Sequence, residues 1–197
     1  MSGQGPALEC AALLPDTQSA RSRIVIHAGR TFLEVERFDR HGLFGRSRLN
    51  SLATLNAALV GDGSTDWTVL ASRLVATGLL VEGDKLRVDH LWWFGRLIAN
   101  TDMHTGNLSF RPLNTLALAP AHDLLPMLYA PLPGGEVAAR TFAPRLPLPA
   151  QRAAWNTACT AAVLFWTRAA SDTRISDDFR KTCGANARRL QALVAHA

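Results

Sequence analysis

One apolar stretch that runs directly into a polar loop constrains this chain most. Residues 88–98 (VDHLWWFGRLI) are strongly apolar, which predicts a central buried helix. The residues that follow from Asn100 (NTDMHTGN) are polar and rich in turn formers, so they predict a loop at the helix end. A buried helix that ends in a polar loop is a firm support for functional side chains. This loop is therefore the first candidate for a functional site.

The rest of the chain predicts short β elements and several helices. Apolar and polar residues alternate on either side of Gly29, which predicts a hairpin of residues 23–27 and 31–36. Two short strands are predicted at 108–110 and 116–118, and residues 126–149, rich in proline, predict an irregular segment. Helical spacing predicts a short N-terminal helix in ALECAALL and helices at 52–59 with Ser51 as N-cap, 67–79, 151–170 and 176–195.

Composition excludes several classes of protein. The chain has 197 residues, of which 48% are hydrophobic and 19% charged, and this balance excludes a disordered protein. No apolar run is long enough for a membrane helix, and the N-terminus has no basic region of a secretory signal. Three cysteines without a CxxC pair favour a reducing cytoplasm, and we expect these thiols to be inert. We therefore expect a cytoplasmic protein with no membrane partner.

The net charge of +5 comes almost entirely from arginine, since the sequence contains only two lysines, Lys85 and Lys181. The arginines are scattered, with no basic run and no interleaved aromatic residues. This distribution disfavours direct nucleic-acid binding.

The polar loop contains side chains suited to phosphoryl transfer. Asp102 is followed five positions later by Asn107, and Asp123 lies sixteen positions beyond that. Such a transfer needs one carboxylate to orient the acceptor hydroxyl and take its proton. It also needs a carboxylate and an amide oxygen to hold Mg²⁺ against the phosphates. Asp102 suits the first role, and Asn107 with Asp123 suits the second.

Structural interpretations of the same residues remain open. Asp102 and Asn107 are both common turn residues, and Asp123 could cap a short helix. The string ERFDR, which includes Arg37 and Arg40, could form a salt-bridged turn at the surface.

Three strings in this order resemble the HipA-type serine/threonine kinases of bacterial toxin–antitoxin systems. They are RFDR, the string NTDMHTGNLSF, and APAHD within LAPAHDLLPMLY. The stretches ATLNAALVGDG and MLYAPLPGGEV look most like the YjjJ branch of that family. The resemblance covers roughly residues 20–195 by motif order.

The resemblance implies a role for each matching residue on the catalytic side. Asp102 would be the catalytic aspartate, and Asn107 and Asp123 would be the magnesium ligands. His104 would lie beside the phosphates. His122 stands where an aromatic residue often precedes the metal-binding aspartate in the family.

The resemblance also implies a nucleotide site with ATP and Mg²⁺ as cofactors. The backbone from Glu36 to Phe38 would be the hinge that pairs with adenine, and Asp39 would lie close to the nucleotide. Residues 1–20 contain neither the phosphate loop nor the strand lysine of the family. We therefore expect weak or no kinase activity from this chain alone.

The fold implied by the resemblance is α+β and mostly α: the C-terminal helical lobe of a kinase of the HipA type, with a short β-hairpin at the hinge and the N-lobe largely missing. The expected division is an N-terminal remnant at 1–20, the hinge hairpin with RFDR at 21–40, and the C-terminal kinase lobe at 41–197.

The resemblance implies that the intact protein transfers the γ-phosphate of ATP to a serine or threonine hydroxyl of a protein substrate. An antitoxin and a separate chain that supplies the N-lobe are further candidate partners. Two alternatives remain open: a non-catalytic kinase remnant that acts as a protein-interaction module, or one half of a split kinase.

Overall fold

A computed structural model describes residues 4–136 and 138–194. The predicted segments at 1–20 and 41–197 and the predicted helix at 176–195 also include residues outside this part of the chain. The helices are α1 (Gln4–Ala11), α2 (Leu52–Leu55), α3 (Trp67–Ala76), α4 (Glu82–Leu97), α5 (Arg152–Ser171) and α6 (Asp177–Val194). The strands are β1 (Ser22–His27), β2 (Arg30–Val35), β3 (Arg40–His41), β4 (Gly45–Arg46), β5 (Asn50–Ser51), β6 (Ser109–Pro112) and β7 (Leu116–Leu118).

The helices pack around α4. Helix α4 contacts α3 on one side and α5 on the other, and α5 also packs against α6 and α1. The core includes the fully buried side chains of Trp67, Phe94, Trp155, Phe165 and Trp166. The prediction of a buried central helix is confirmed, since most side chains of residues 88–98 are inaccessible to solvent.

The first hairpin forms where alternation predicts it. β1 and β2 pair antiparallel with Ile24 opposite Leu33, and Gly29 takes φ +72° in the turn between them. A left-handed residue in a tight hairpin turn favours glycine, because glycine has no Cβ to clash. Arg23 and Glu34 pair across the strands at 2.7 Å on an exposed face. The segment after β2 joins this hairpin to the helical part of the chain.

A three-stranded sheet lies beside the polar loop. β6 pairs with both β5 and β7, all antiparallel, with Phe110 opposite Asn50 on one side and Leu118 on the other. The buried carboxylate of Asp84, on α4, accepts a hydrogen bond from the backbone N–H of Leu118 at 3.2 Å. The sheet is therefore fixed to the helix that carries the loop.

The other predictions of local structure agree with the structure to within a few residues. Ser51 caps α2 by accepting a hydrogen bond from Thr54 N, and α2 continues into a π-helical turn at Asn56–Val60. Residues 126–136 and 138–149 are irregular apart from a short 3₁₀ turn at Met127–Tyr129 and the start of another at Pro149. The division into segments 1–20, 21–40 and 41–197 stays a prediction. No helix in the described part of the chain combines the length and apolar character needed to cross a membrane.

Candidate functional site

The polar loop begins with a sharp change of backbone direction at the end of α4. Ala99 takes φ +60°, and the N–H of Asn100 donates to the carbonyl of Gly95 at 2.9 Å. The buried side chain of Asn100 then accepts a hydrogen bond from Asp102 N at 3.0 Å. A non-glycine residue with positive φ is strained and persists only where its surroundings hold it. The loop that carries Asp102 is therefore held firmly at its start.

Asn107 is held at the far end of the same loop. It ends a 3₁₀ turn (Thr105–Asn107), and its side-chain Nδ2 donates to the backbone carbonyl of Asp102 at 3.0 Å. This bond uses the amide nitrogen of Asn107 and leaves the Oδ1 atom as the acceptor for another partner. The structure thus brings Asp102 and Asn107 together.

His104 caps the 3₁₀ turn between them. Its Nδ1 accepts a hydrogen bond from Gly106 N at 3.1 Å, so the neutral ring carries its proton on Nε2. A Cβ at Gly106 would lie 2.8 Å from that Nδ1, which explains the glycine. The backbone carbonyl of His104 accepts from the indole of buried Trp67 at 3.3 Å, and this bond joins the loop to α3.

Asp123 lies in a segment that spans from the hinge side to the polar loop. Two backbone hydrogen bonds of 2.8 Å join Ala121 to Gln18 and Ala20, and Leu128 N donates to the carbonyl of Ala99 at 3.0 Å. Asp123 itself is half-buried and takes φ +54°. The nearby 3₁₀ turn has Pro126 as its N-cap, so Asp123 is not a helix cap.

The predicted hinge follows β2. The N–H of Glu36 donates to the carbonyl of Arg21 at 2.8 Å, and the ring of Phe38 packs against that of His122 at 5.6 Å between centroids. The residue before Asp123 therefore contacts the hinge directly.

Asp39 forms the salt-bridged turn that the sequence left open. Its carboxylate accepts two hydrogen bonds from Arg37, at 2.7 and 2.9 Å, and lies 3.5 Å from Arg40. The Arg37 guanidinium lowers the pKa of the Asp39 carboxyl. The proximity of Asp39 to a nucleotide stays a prediction.

Two grooves open on either side of these segments. One, of about 410 Å³, is lined by Glu36 and Phe38 together with residues 17–21. The other, of about 670 Å³, is lined by Asp102 and His104. Neither lining includes Asp39, Asn107 or Asp123. The predicted site residues thus form two groups, one at the hinge (Glu36, Phe38 and Asp39) and one at the polar loop (Asp102, His104 and Asn107). Residues 121–128, which include Asp123, connect the two groups.

The second groove also contains residues that sequence reasoning missed. Arg96 from α4 and the segment 141–145 from the proline-rich region line it beside Asp102. Of these residues Arg96 had a local signal, because it is the one charged residue in the apolar stretch 91–98. Nothing in the sequence around Arg145 indicated a position near the loop.

Solved structures with the same fold include a kinase and a protein of a toxin–antitoxin system. The chain superposes on the Helicobacter pylori proinflammatory kinase CtkA with a TM-score of 0.61 and 11% identity, covering 98% of this chain and 81% of that one. It also superposes on HipA from the HipA, HipB and operator DNA complex of Shewanella oneidensis MR-1, with a TM-score of 0.57 and 16% identity, covering 96% and 54%. The fold is therefore that of a kinase-like C-terminal lobe, α+β and mostly helical, as predicted.

The sequence comparisons narrow this class to one family. The model of the HipA-like C-terminal domain matches residues 8–193. The chain is also 37% identical over 161 residues to Toxin YjjJ of Escherichia coli (strain K12). This chain belongs to the HipA-like C-terminal domain family, which confirms the resemblance drawn from its motifs. It spans 36% of the length of Toxin YjjJ, though 81% of the chain itself is aligned.

Proposed function

We propose that this chain is the catalytic-loop and metal-binding lobe of a HipA-like kinase that transfers the γ-phosphate of ATP to a protein serine or threonine hydroxyl. The observation that carries the proposal is the pairing of Asn107 with Asp102 at the end of a helix, in a fold shared with kinases. Cytoplasmic location and an antitoxin partner belong to the same proposal, and the HipA neighbour, solved with HipB, supports that partner.

Asp102 acts on the acceptor in this proposal. Its backbone is fixed at both ends by asparagine side chains, Asn100 at its N–H and Asn107 at its carbonyl. Its side chain lines an open groove, where it can accept a hydrogen bond from a hydroxyl and take its proton as the oxygen attacks phosphorus. A fixed base keeps the hydroxyl aligned, which is most of what a protein contributes to phosphoryl transfer.

The donor set fits magnesium. Asn107 offers an amide oxygen and Asp123 a carboxylate, both of them hard ligands. In the described residues no group of three or more His, Cys, Asp or Glu side chains could hold a metal by itself. Magnesium usually takes only one or two protein carboxylates and completes its shell with water and substrate phosphates. When bound, it would neutralise charge on the transferring phosphoryl group.

The nucleotide side is proposed at the hinge groove. Its lining by Glu36 and Phe38 supports pairing of that backbone with adenine. His104, with a proton on Nε2, can donate to a phosphate oxygen. Both lysines are engaged elsewhere, Lys85 with Asp89 and Lys181 with Asp178, and both lie on helices. Neither can serve as the ATP-contacting strand lysine, so we expect weak or no turnover by this chain alone.

The proposal is tested by magnesium-dependent nucleotide binding. We expect Asp123→Asn to abolish the gain in ATP affinity that Mg²⁺ provides to the wild-type chain, a loss of roughly tenfold or more. Asparagine tolerates a positive φ, so this variant keeps the local backbone. Asp178→Asn, an exposed carboxylate on α6, is the control that removes the same charge.

Isothermal titration of ATP with and without Mg²⁺ measures both variants. Equal binding by Asp123→Asn and wild type, or no effect of Mg²⁺ on the wild-type chain, would contradict the metal site. Micromolar affinity together with measurable phosphate transfer would contradict the expectation of weak activity.

Exposed apolar side chains on the two hairpins favour the second candidate, one half of a split kinase or an interaction module. Leu43 and Phe44, between β3 and β4, are 92% and 91% exposed, and Ile26 on β1 is 71% exposed. Such residues mark a surface that a partner can cover. If the chain is an interaction module, Asp123→Asn changes nothing. If it is one half of a split kinase, replacing Leu43 and Phe44 with serine abolishes capture of a separately expressed N-lobe chain in a pull-down.

A further inference from the structure

The groove beside Asp102 has an unusual balance of charge. Of the side chains that line it, Asp102 is the one carboxylate, whereas Arg96 and Arg145 both contribute guanidinium groups. Trp92 and Phe142 also line the groove and supply apolar surface. The groove thus combines two cations with aromatic walls next to the proposed acceptor base.

Neither arginine has a carboxylate partner among the residues that the structure describes. Within residues 4–136 and 138–194, neither Arg96 nor Arg145 forms an ion pair with a carboxylate, although arginines elsewhere on the surface do. The Arg96 guanidinium carbon lies 5.0 Å from the centre of the Trp92 ring. Stacking covers a face of the guanidinium and leaves its N–H edges available to an anion.

The two cations also lie close enough to repel each other. Burial lowers the pKa of Arg96, and the positive charge of Arg145 lowers it further, while the carboxylate of Asp66 acts in the opposite direction. A carboxylate placed between the two guanidinium groups would relieve this repulsion. Arginine favours carboxylates because its N–H groups match both oxygens at once.

The position of the groove indicates which anion it takes. Its lining includes Asp102 but neither Asn107 nor Asp123, and the hinge residues line the other groove. The phosphates of a nucleotide would lie with the metal ligands. Of the residues that line this groove only His104 was assigned to the phosphates, so the nucleotide reaches the groove at His104 and the acceptor polypeptide approaches along the rest of it.

We propose that this groove binds an acidic side chain of the acceptor polypeptide through Arg96 and Arg145, and so selects serine or threonine residues with glutamate or aspartate nearby. This substrate class rests on the proposed function, because Asp102 identifies the acceptor side. Trp92 and Phe142 hold the apolar part of the same segment.

The test is direct peptide binding at low salt, without nucleotide or magnesium. The probes are a dye-labelled serine peptide flanked by glutamates and its counterpart with glutamines, measured by fluorescence anisotropy. We expect the glutamate peptide to bind at least about tenfold more tightly. Arg145→Gln should remove most of this preference, and Arg96→Gln should do the same.

Controls separate the groove from general charge and from folding. Arg188→Gln removes one exposed positive charge on α6 and should leave binding unchanged. The Arg145 side chain is exposed and the indole of Trp155 bonds only to its backbone carbonyl, so Arg145→Gln keeps the fold and carries the test if Arg96→Gln unfolds. Asp102→Asn removes the carboxylate of the groove and should tighten binding severalfold.

Three results would overturn the inference: equal binding of the two peptides, equal weakening by Arg188→Gln and Arg145→Gln, or no effect of Asp102→Asn. Arginine-dependent binding of inorganic phosphate without binding of the glutamate peptide would also overturn it, because the groove would then serve a phosphate. Since no nucleotide is present, the result is independent of the Asp123→Asn experiment, and either proposal can fail alone.

Discussion

The indole of Trp166 fixes the end of α4 and so supports the loop that carries Asp102. Trp166 is fully buried on α5, and its Nε1 donates to the carbonyl of Leu97 at 2.9 Å. Leu97 is the last residue of α4, where backbone carbonyls have no partner within the helix. Trp166→Phe removes the donor and leaves this buried carbonyl unsatisfied, which costs about 1–3 kcal/mol. The smaller ring also leaves a cavity worth roughly 1 kcal/mol.

We therefore expect Trp166→Phe to lower the free energy of unfolding by about 2–4 kcal/mol. Trp155→Phe is the matched control, because Trp155 is equally buried and donates to a carbonyl at 3.1 Å. Its acceptor belongs to the exposed residue Arg145, where water can replace the lost donor, so the cost should be smaller by about 1 kcal/mol or more. Urea unfolding followed by circular dichroism measures both. Equal losses, or a loss below about 1 kcal/mol for Trp166→Phe, would refute the argument.

Three further predictions concern the loop and the buried titratable groups. Gly95→Ala places a Cβ 2.6 Å from the end of the Met103 side chain and displaces that side chain. We therefore expect weaker binding of the glutamate peptide, with the free energy of unfolding changed by no more than about 1 kcal/mol. Binding should recover in the double variant with Met103→Ala. Burial lowers the pKa of His90, so the folded protein keeps this ring neutral while the unfolded chain binds a proton below about pH 6.5. The free energy of unfolding should thus decrease from about pH 7 to pH 5, and His90→Gln should make this decrease smaller when both proteins are unfolded with urea. Parallel curves of unfolding free energy against pH for the two proteins would contradict this. Burial raises the pKa of the Cys159 thiol to about 11 and that of Cys183 to about 12. At about pH 8 both thiols should therefore react with a thiol reagent at least roughly a hundredfold more slowly in the folded chain than in urea. Comparable rates in the two states would contradict the expectation that these thiols are inert.

Local patterns were enough to predict most elements of this fold, but not the two-residue strands β3, β4 and β5. Alternation around Gly29 predicts a hairpin, and β1 and β2 pair there. A serine before a run with helical spacing predicts an N-cap, and Ser51 makes that hydrogen bond. These predictions succeed because hairpin turns and helix caps depend on residues a few positions apart.

The sequence predicted the motifs of the candidate site, but it did not predict which side chains come together on its surface. The order of RFDR, the polar loop and APAHD identifies the family, which the family comparison confirms. The salt-bridged state of Asp39 was only one of two open interpretations, and the roles of Asp102, Asn107 and Asp123 stay predictions. Side-chain partners across a turn depend on rotamers, which residue types alone do not specify.

The sequence alone was sufficient for the family and for most of the helices and strands, because each of these depends on residue identity and short-range spacing. Folding in three dimensions was needed to bring Arg145 beside Asp102 and to join Leu128 to Ala99. The irregular segment that contains Arg145 has no periodicity to indicate its position. Its place follows from burial of neighbours such as Phe142 against the helices, and that packing is a property of the whole core.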